Sequence, residues 1–172
     1  LDLTATPKPE SNIISYVDAV QLKKEHMVKL PVIVYNRETP LDVLLDTIDL
    51  RNKLEEIAMR EYTETGKYIL PIALFQAQPK GNEDAATFEK LREKLLDANI
   101  PKEQIAIRTA DINELKNIDL TAMDCPIRYI ITVNALKEGW DCPFAYVLAS
   151  LANKTSQVDV EQILGRILRV PY

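Results

Sequence analysis

Between Tyr68 and Phe75 almost every residue is apolar. A run this short and this continuous suits a strand buried on both faces, as in a parallel sheet covered by helices. Ile127 to Val133 and Ala145 to Leu151 repeat the character, and Gln104 to Arg108 reads as a shorter strand. Helical patterns alternate with them. From Pro40 to Thr65, Leu50, Leu54, Ile57 and Ala58 form one apolar stripe at i, i+4, i+7 and i+8. Pro40 suits the first turn of that helix and Gly66 its stop. Gly81-Asn82 is expected to open a second helix, with Asn82 as N-cap and Phe88, Leu91, Leu95 and Leu96 on one side. Val158 to Arg169 is expected to form the last. This rhythm predicts an α/β fold with a mostly parallel sheet and helices on both faces. Tyr16 to Tyr35 contains Val28-Lys29-Leu30-Pro31-Val32-Ile33-Val34-Tyr35, a β-rich hairpin or connector whose Pro suits an edge strand.

The 172 residues suffice for one domain with a core, or for one domain and an appendage. Acidic residues outnumber basic ones 26 to 21, a net charge of −5. That balance argues against a protein that wraps DNA over its whole surface and leaves room for a local basic track. Cys125 and Cys142 lack CxxC spacing, and His26 is the single histidine, in a charged run. A zinc site or a histidine-based catalytic triad is therefore not expected, and reduced cysteines in a cytoplasmic protein are. No apolar run approaches the length of a membrane span, and Leu1-Asp2-Leu3-Thr4 does not open a signal peptide. Both ends read as cut from a longer protein.

The last helix carries the most chemistry. At about 100° per residue, Gln162, Arg166 and Arg169 fall within roughly 60° of one another. Val160, Ile163, Leu164, Ile167 and Leu168 centre on the opposite side. Gly165 borders the polar stripe and permits close approach. By its residues alone this is either an amphipathic surface helix whose arginines make ion pairs, or a phosphate-capturing helix that exploits the planar donor fork of arginine. Upstream lies Ile130-Ile131-Thr132-Val133-Asn134-Ala135-Leu136-Lys137-Glu138-Gly139-Trp140-Asp141-Cys142-Pro143. It reads as a buried strand, a polar turn, then Gly and an acid at the strand's carboxyl end, where open α/β sheets take ligands. Alternatively, Asp141 caps a turn and Trp140 fills core. Gln76 and Gln78 leave the Tyr68–Phe75 strand and either touch a phosphate backbone or are ordinary exit residues. Leu3-Thr4-Ala5-Thr6-Pro7 is a strand-to-turn string.

Gln162-x-x-Gly165-Arg166-x-x-Arg169 resembles motif VI of superfamily 2 helicases, and Glu138-Gly139-x-Asp141-x-Pro143 resembles their motif V. Thr4-Ala5-Thr6 is similar to motif III, and Gln76 and Gln78 stand where motif IV belongs. The resemblance implies a RecA-like three-layer second motor domain. It makes Arg166 and Arg169 arginine fingers for ATP and has Gln162 orient the γ-phosphate region. Asp141 and Gly139 would face the nucleotide or the arginine helix. Thr132, Asn134, Gln76 and Gln78 would face nucleic acid, and Thr4 and Thr6 would couple the two sites. The implied division is residues 1–8 as the end of a first motor domain, 9–66 as a connector, and 67–172 as the second RecA-like domain. The motif V and VI strings look most like the Res subunit of type III restriction-modification enzymes, which move along duplex DNA. The resemblance further implies ATP and Mg2+ bound mainly by the first RecA-like domain, and as partners that domain, duplex DNA and a methyltransferase/specificity subunit. There is no GxxxxGK(S/T) loop here, so this chain is not expected to turn over ATP alone. A docking module without hydrolysis and an RNA helicase domain are the alternatives.

Overall fold

The computed structural model describes residues 19–24, 29, 33, 35, 37–79, 86–133, 142, 144–151 and 167–168. Helix α1 (Ala19–Lys24) and helix α2 (Pro40–Thr65) precede strand β1 (Ile72–Gln76). Helix α3 (Phe88–Asp97) leads through a 3-10 turn to strand β2 (Ile105–Arg108), followed by strands β3 (Tyr129–Thr132) and β4 (Ala145–Ser150). The four strands form one sheet in the order β2-β3-β1-β4, and every pairing is parallel.

All residues of β1 and β3 are buried, as expected of strands covered on both faces. Side chains alternate across the sheet and sort into two cores. Ala73, Phe75, Ile105, Ile107, Tyr129, Ile131, Val147 and Ala149 pack with Leu44 of α2 and Leu91 and Leu95 of α3. Ile72, Leu74, Ala106 and Ile130 face the other way, against Leu115, Cys125, Cys142, Phe144 and Ile167. Connection geometry explains the division. The chain crosses from β1 over β3 to β2 through α3, then returns from β2 to β3. Parallel crossovers keep one hand, so a reversal of direction moves the connection to the opposite face. Leu115, Leu120, Ala122 and Cys125, on the return, do lie on the second face. Cys142 and Phe144, at the end of the β3–β4 connection, lie there as well. Ile167 is helical and packs on this side. The fold is thus three-layer α/β with a parallel sheet between the layers.

Local chemistry sets the element ends. Thr39 caps α2 by accepting a hydrogen bond from the Asp42 amide at 3.1 Å, and Pro40 occupies the first turn. Gly66 ends the helix at φ 75°, a left-handed conformation that its missing Cβ permits, and its amide donates to the Tyr62 carbonyl at 2.8 Å.

Three expectations change. Ile57 does not join the inner stripe of α2: it is 51% exposed, while Leu44, Thr47, Arg51 and Ala58 are buried. The inner face is centred on Arg51, and Ile57 lies roughly 120° round the helix from it. Helix α3 starts later than Asn82. Its N-cap is Thr87, whose hydroxyl accepts from the Lys90 amide, and Leu96 at its far end is 40% exposed. Within the β-rich stretch, Ala19–Lys24 is helical, in keeping with the good helix formers Ala, Gln, Leu and Lys.

Candidate functional site

The carboxyl ends of the four strands carry one polar residue each. In register across the sheet stand Arg108 of β2, Thr132 of β3, Gln76 of β1 and Ser150 of β4. All four share a face, because each lies an even number of residues beyond Ala106, Ile130, Leu74 or Leu148, which point into the second core. The Ser150 hydroxyl donates to Gln76 Oε1 at 3.1 Å. Gln76 and Thr132 are 2% and 1% exposed. Polar side chains this deep belong at the end of a sheet, where the apolar core gives way and hydrogen-bond partners are at hand. The ladder extends one step past the strands: the Ala77 amide donates to the Thr132 carbonyl at 2.7 Å, and the Leu151 amide to the Gln76 carbonyl at 2.9 Å.

Gln78 works differently from Gln76. Its Nε2 donates to the Leu151 carbonyl at 2.8 Å, and its Oε1 accepts from the Ala86 amide at 3.1 Å. Its own amide donates to the Ala86 carbonyl at 2.9 Å. Both ends of this side-chain amide are therefore engaged with backbone. Gln78 joins the exit of β1 to the exit of β4 and to the approach to α3.

Of the residues that the sequence points to, the structure brings Thr132 and Gln76 side by side and sets Gln78 just beyond. Gln162, Arg166, Arg169, Gly139, Asp141, Asn134, Thr4 and Thr6 lie outside the described residues. Their described neighbours in the chain are firmly packed. Cys142 and Phe144 have no exposed surface, and Ile167 is 6% exposed. Lys29 ties two of these regions together. Its amide donates to the Leu168 carbonyl at 2.6 Å, and its Nζ donates to the Ala145 carbonyl at 2.8 Å while lying 4.4 Å from the Tyr146 ring centroid. Burial lowers the Lys29 pKa to about 8. Burial also pushes the Cys142 thiol up to about 11, against the opposing pull of the Lys29 charge and of the Ala145 and Phe144 amides. Both cysteines are buried and free of disulfides.

Arg108 and Ser150 were not singled out by sequence. The signal was present, since each is the polar last residue of an apolar strand, as Gln76 and Thr132 are. Neither sits in a recognisable motif, so nothing separated them from ordinary exit residues.

Within this row Arg108 and Ser150 keep surface that a ligand could meet, while Gln76 and Thr132 are enclosed. Among the described residues, no group of three or more His, Cys, Asp or Glu could hold a metal ion. No described helix is long and apolar enough to cross a membrane.

Comparison with known proteins finds no matching family model and no matching curated protein.

Proposed function

We propose that this chain is the second motor domain of a superfamily 2 ATPase, most like the Res subunit of a type III restriction enzyme. One observation carries the reading: Glu138-Gly139-x-Asp141-x-Pro143 and Gln162-x-x-Gly165-Arg166-x-x-Arg169 occur together, in order and on either side of one strand. The parallel sheet supports it, because the first of these strings begins six residues after the carboxyl end of β3, the end at which such sheets bind ligands. In this role Arg166 and Arg169 reach an ATP held by another domain and stabilise charge on the transferring phosphoryl group. Gln162 orients that group, and Asp141 and Gly139 border the nucleotide. Thr132, Asn134 and Gln76 contribute to a track for duplex DNA along the sheet's carboxyl edge. ATP and Mg2+ bind mainly to the first motor domain. The chain alone does not turn over ATP.

The test is ATPase activity in the full-length protein. Arg166→Ala and Arg169→Ala are each expected to reduce turnover by on the order of 10³-fold, as for other arginine fingers. Unchanged turnover overturns the reading in favour of a docking module without hydrolysis. Stimulation by duplex DNA rather than by RNA separates a translocase from an RNA helicase.

A further inference from the structure

We infer that Lys29 is a positioning residue that fixes the end of the arginine-bearing segment against the sheet. The inference rests on the proposed function above. Lys29 makes a long-range bond at each of its ends. Its amide donates to the Leu168 carbonyl at 2.6 Å, and its Nζ donates to the Ala145 carbonyl at 2.8 Å. Both partners stand beside a motif. Leu168 directly precedes Arg169 and follows Arg166 by two residues. Ala145 comes two residues after Pro143, which closes the Gly139-x-Asp141-x-Pro143 string. Lys29 thus joins the close of one motif to the close of the other.

Of these partners Ala145 is the anchored one. It opens β4 and stands in register with Ile72 of β1. The Ile72 amide donates to the Phe144 carbonyl at 2.8 Å, and the Ala145 amide to the Cys142 carbonyl at 3.0 Å. Cys142, Phe144 and Ala145 share an apolar core with Ile167, the neighbour of Leu168. Apolar burial is non-directional, whereas a hydrogen bond fixes direction as well as distance. Lys29 adds that direction on both sides. Consecutive Cα atoms are about 3.8 Å apart, so holding Leu168 confines the Arg169 backbone to that radius and the Arg166 backbone to about 7 Å. An arginine finger depends on such placement, since a displacement of about 1 Å can slow a reaction 100-fold. The tie uses an ammonium partly withdrawn from water, which lowers the Lys29 pKa to about 8. The Tyr146 ring, with its centroid 4.4 Å from Nζ, offsets part of that cost. An apolar side chain would fill the space without the cost, so what the ammonium adds is a defined geometry.

The experiment is a mutant cycle on the ATPase of the full-length protein. It compares wild type, Lys29→Met, the double variant Arg166→Ala with Arg169→Ala, and that double variant carrying Lys29→Met as well. Lys29→Met alone is expected to lower kcat by about 10- to 100-fold. The KM for ATP is expected to stay within about twofold, because the first motor domain holds the nucleotide. In the double variant Lys29→Met is expected to change nothing further, since a residue that acts through the arginines has no effect once they are gone. A merely structural role would instead lower turnover by the same factor in both backgrounds, and that result overturns the inference. So does an unchanged kcat in Lys29→Met, with or without a rise in KM. Either result leaves the proposed function standing as long as removal of the arginines abolishes turnover. Full turnover without the arginines overturns both. Should Lys29→Met not fold by circular dichroism, Tyr146→Leu takes its place in the cycle. It removes the ring beside the ammonium, leaves the hydrogen bonds of Lys29 in place, and is read by the same outcomes.

Discussion

Lys29 is a single residue that ties two segments together. It holds the Leu168 carbonyl through its amide and the Ala145 carbonyl through its ammonium. Burial brings its pKa from 10.5 to about 8. Between those values the unfolded chain holds a proton that the folded chain has released, so stability rises with pH across that window. Below about 8 the cost of the buried ammonium is fully present. Cys142 acts in the opposite sense. Its thiol titrates at 9.0 when unfolded and at about 11 when folded, so it removes stability as pH rises between those values. The two effects leave a net gain from about pH 8 to 9 and oppose each other above it. Lys29→Met is expected to abolish the gain. Urea denaturation across this range is the measurement, with a ceiling of about 1.4 kcal/mol per pH unit for one group and less where solvent reaches it. A difference between wild type and Lys29→Met that stays flat with pH would refute this account. Nothing in the sequence marks Lys29: its burial is created by contacts with β4 and Leu168, more than a hundred residues away. Gln76 and Thr132, by contrast, were legible because a polar residue ending an apolar strand must sit where the core stops.

Helix α2 shows how a charged residue can set an element's orientation. Its limits, Pro40 and Thr65, were readable from the proline and the glycine. Its inner face was not, because apolar periodicity counts arginine as outward-facing. Arg51 is 3% exposed. Its Nε donates to the Pro71 carbonyl at 3.1 Å, its Nη2 lies 2.8 Å from Glu55 Oε2, and its guanidinium is 5.7 Å from the Tyr129 ring centroid. Glu55 also accepts from Arg128 Nε at 3.0 Å, so one carboxylate serves two arginines and fastens α2 to the amino ends of β1 and β3. The consequence is an asymmetry between substitutions. Glu55→Gln leaves Arg51 buried without its counter-charge and is expected to cost about 2–4 kcal/mol. Arg51→Met leaves Glu55 paired with Arg128 and fills the space with an unbranched apolar chain. It forfeits chiefly the bond to Pro71, about 1 kcal/mol. Urea denaturation of the two variants gives the ranking, and a larger loss in Arg51→Met would show that the shared carboxylate is not what holds the helix.

For the molecule as a whole, the parallel class of the sheet followed from the alternation of apolar runs and helical stripes. The strand order did not. Placing β1 between β3 and β4 depends on which connections cross which strands, and apolar runs of similar composition carry no label for their neighbours. A sheet of this kind must also manage its edges, and the means chosen at β2, the last strand on its side among the described residues, were equally illegible. After Arg108 the chain turns back on itself. The Ile112 amide donates to the Thr109 hydroxyl at 3.1 Å and the Thr109 amide to the Ile112 carbonyl at 2.8 Å. Asn113 forms an antiparallel bridge with Arg108. The Glu114 amide then donates to the Ile107 carbonyl at 3.0 Å, and its carboxylate accepts from the Ile107 amide at 2.8 Å. Arg92 of α3 holds the same carboxylate at 2.9 Å. Glu114 thus occupies the amide and carbonyl of Ile107 on the outward side of β2 and sets a charge beside them. Glu114→Ala uncovers the Ile107 amide and is expected to cost about 1–3 kcal/mol, with self-association rising with protein concentration. Glu114→Gln keeps an acceptor and surrenders the charge pair with Arg92, a partly exposed pair worth about 1 kcal/mol or less. It is expected to remain monomeric where Glu114→Ala does not. Sedimentation velocity over a concentration series reads the difference. If both variants associate equally, the protection lies in the charge, and if neither does, the returning backbone of residues 109–114 shields the edge without help from the carboxylate.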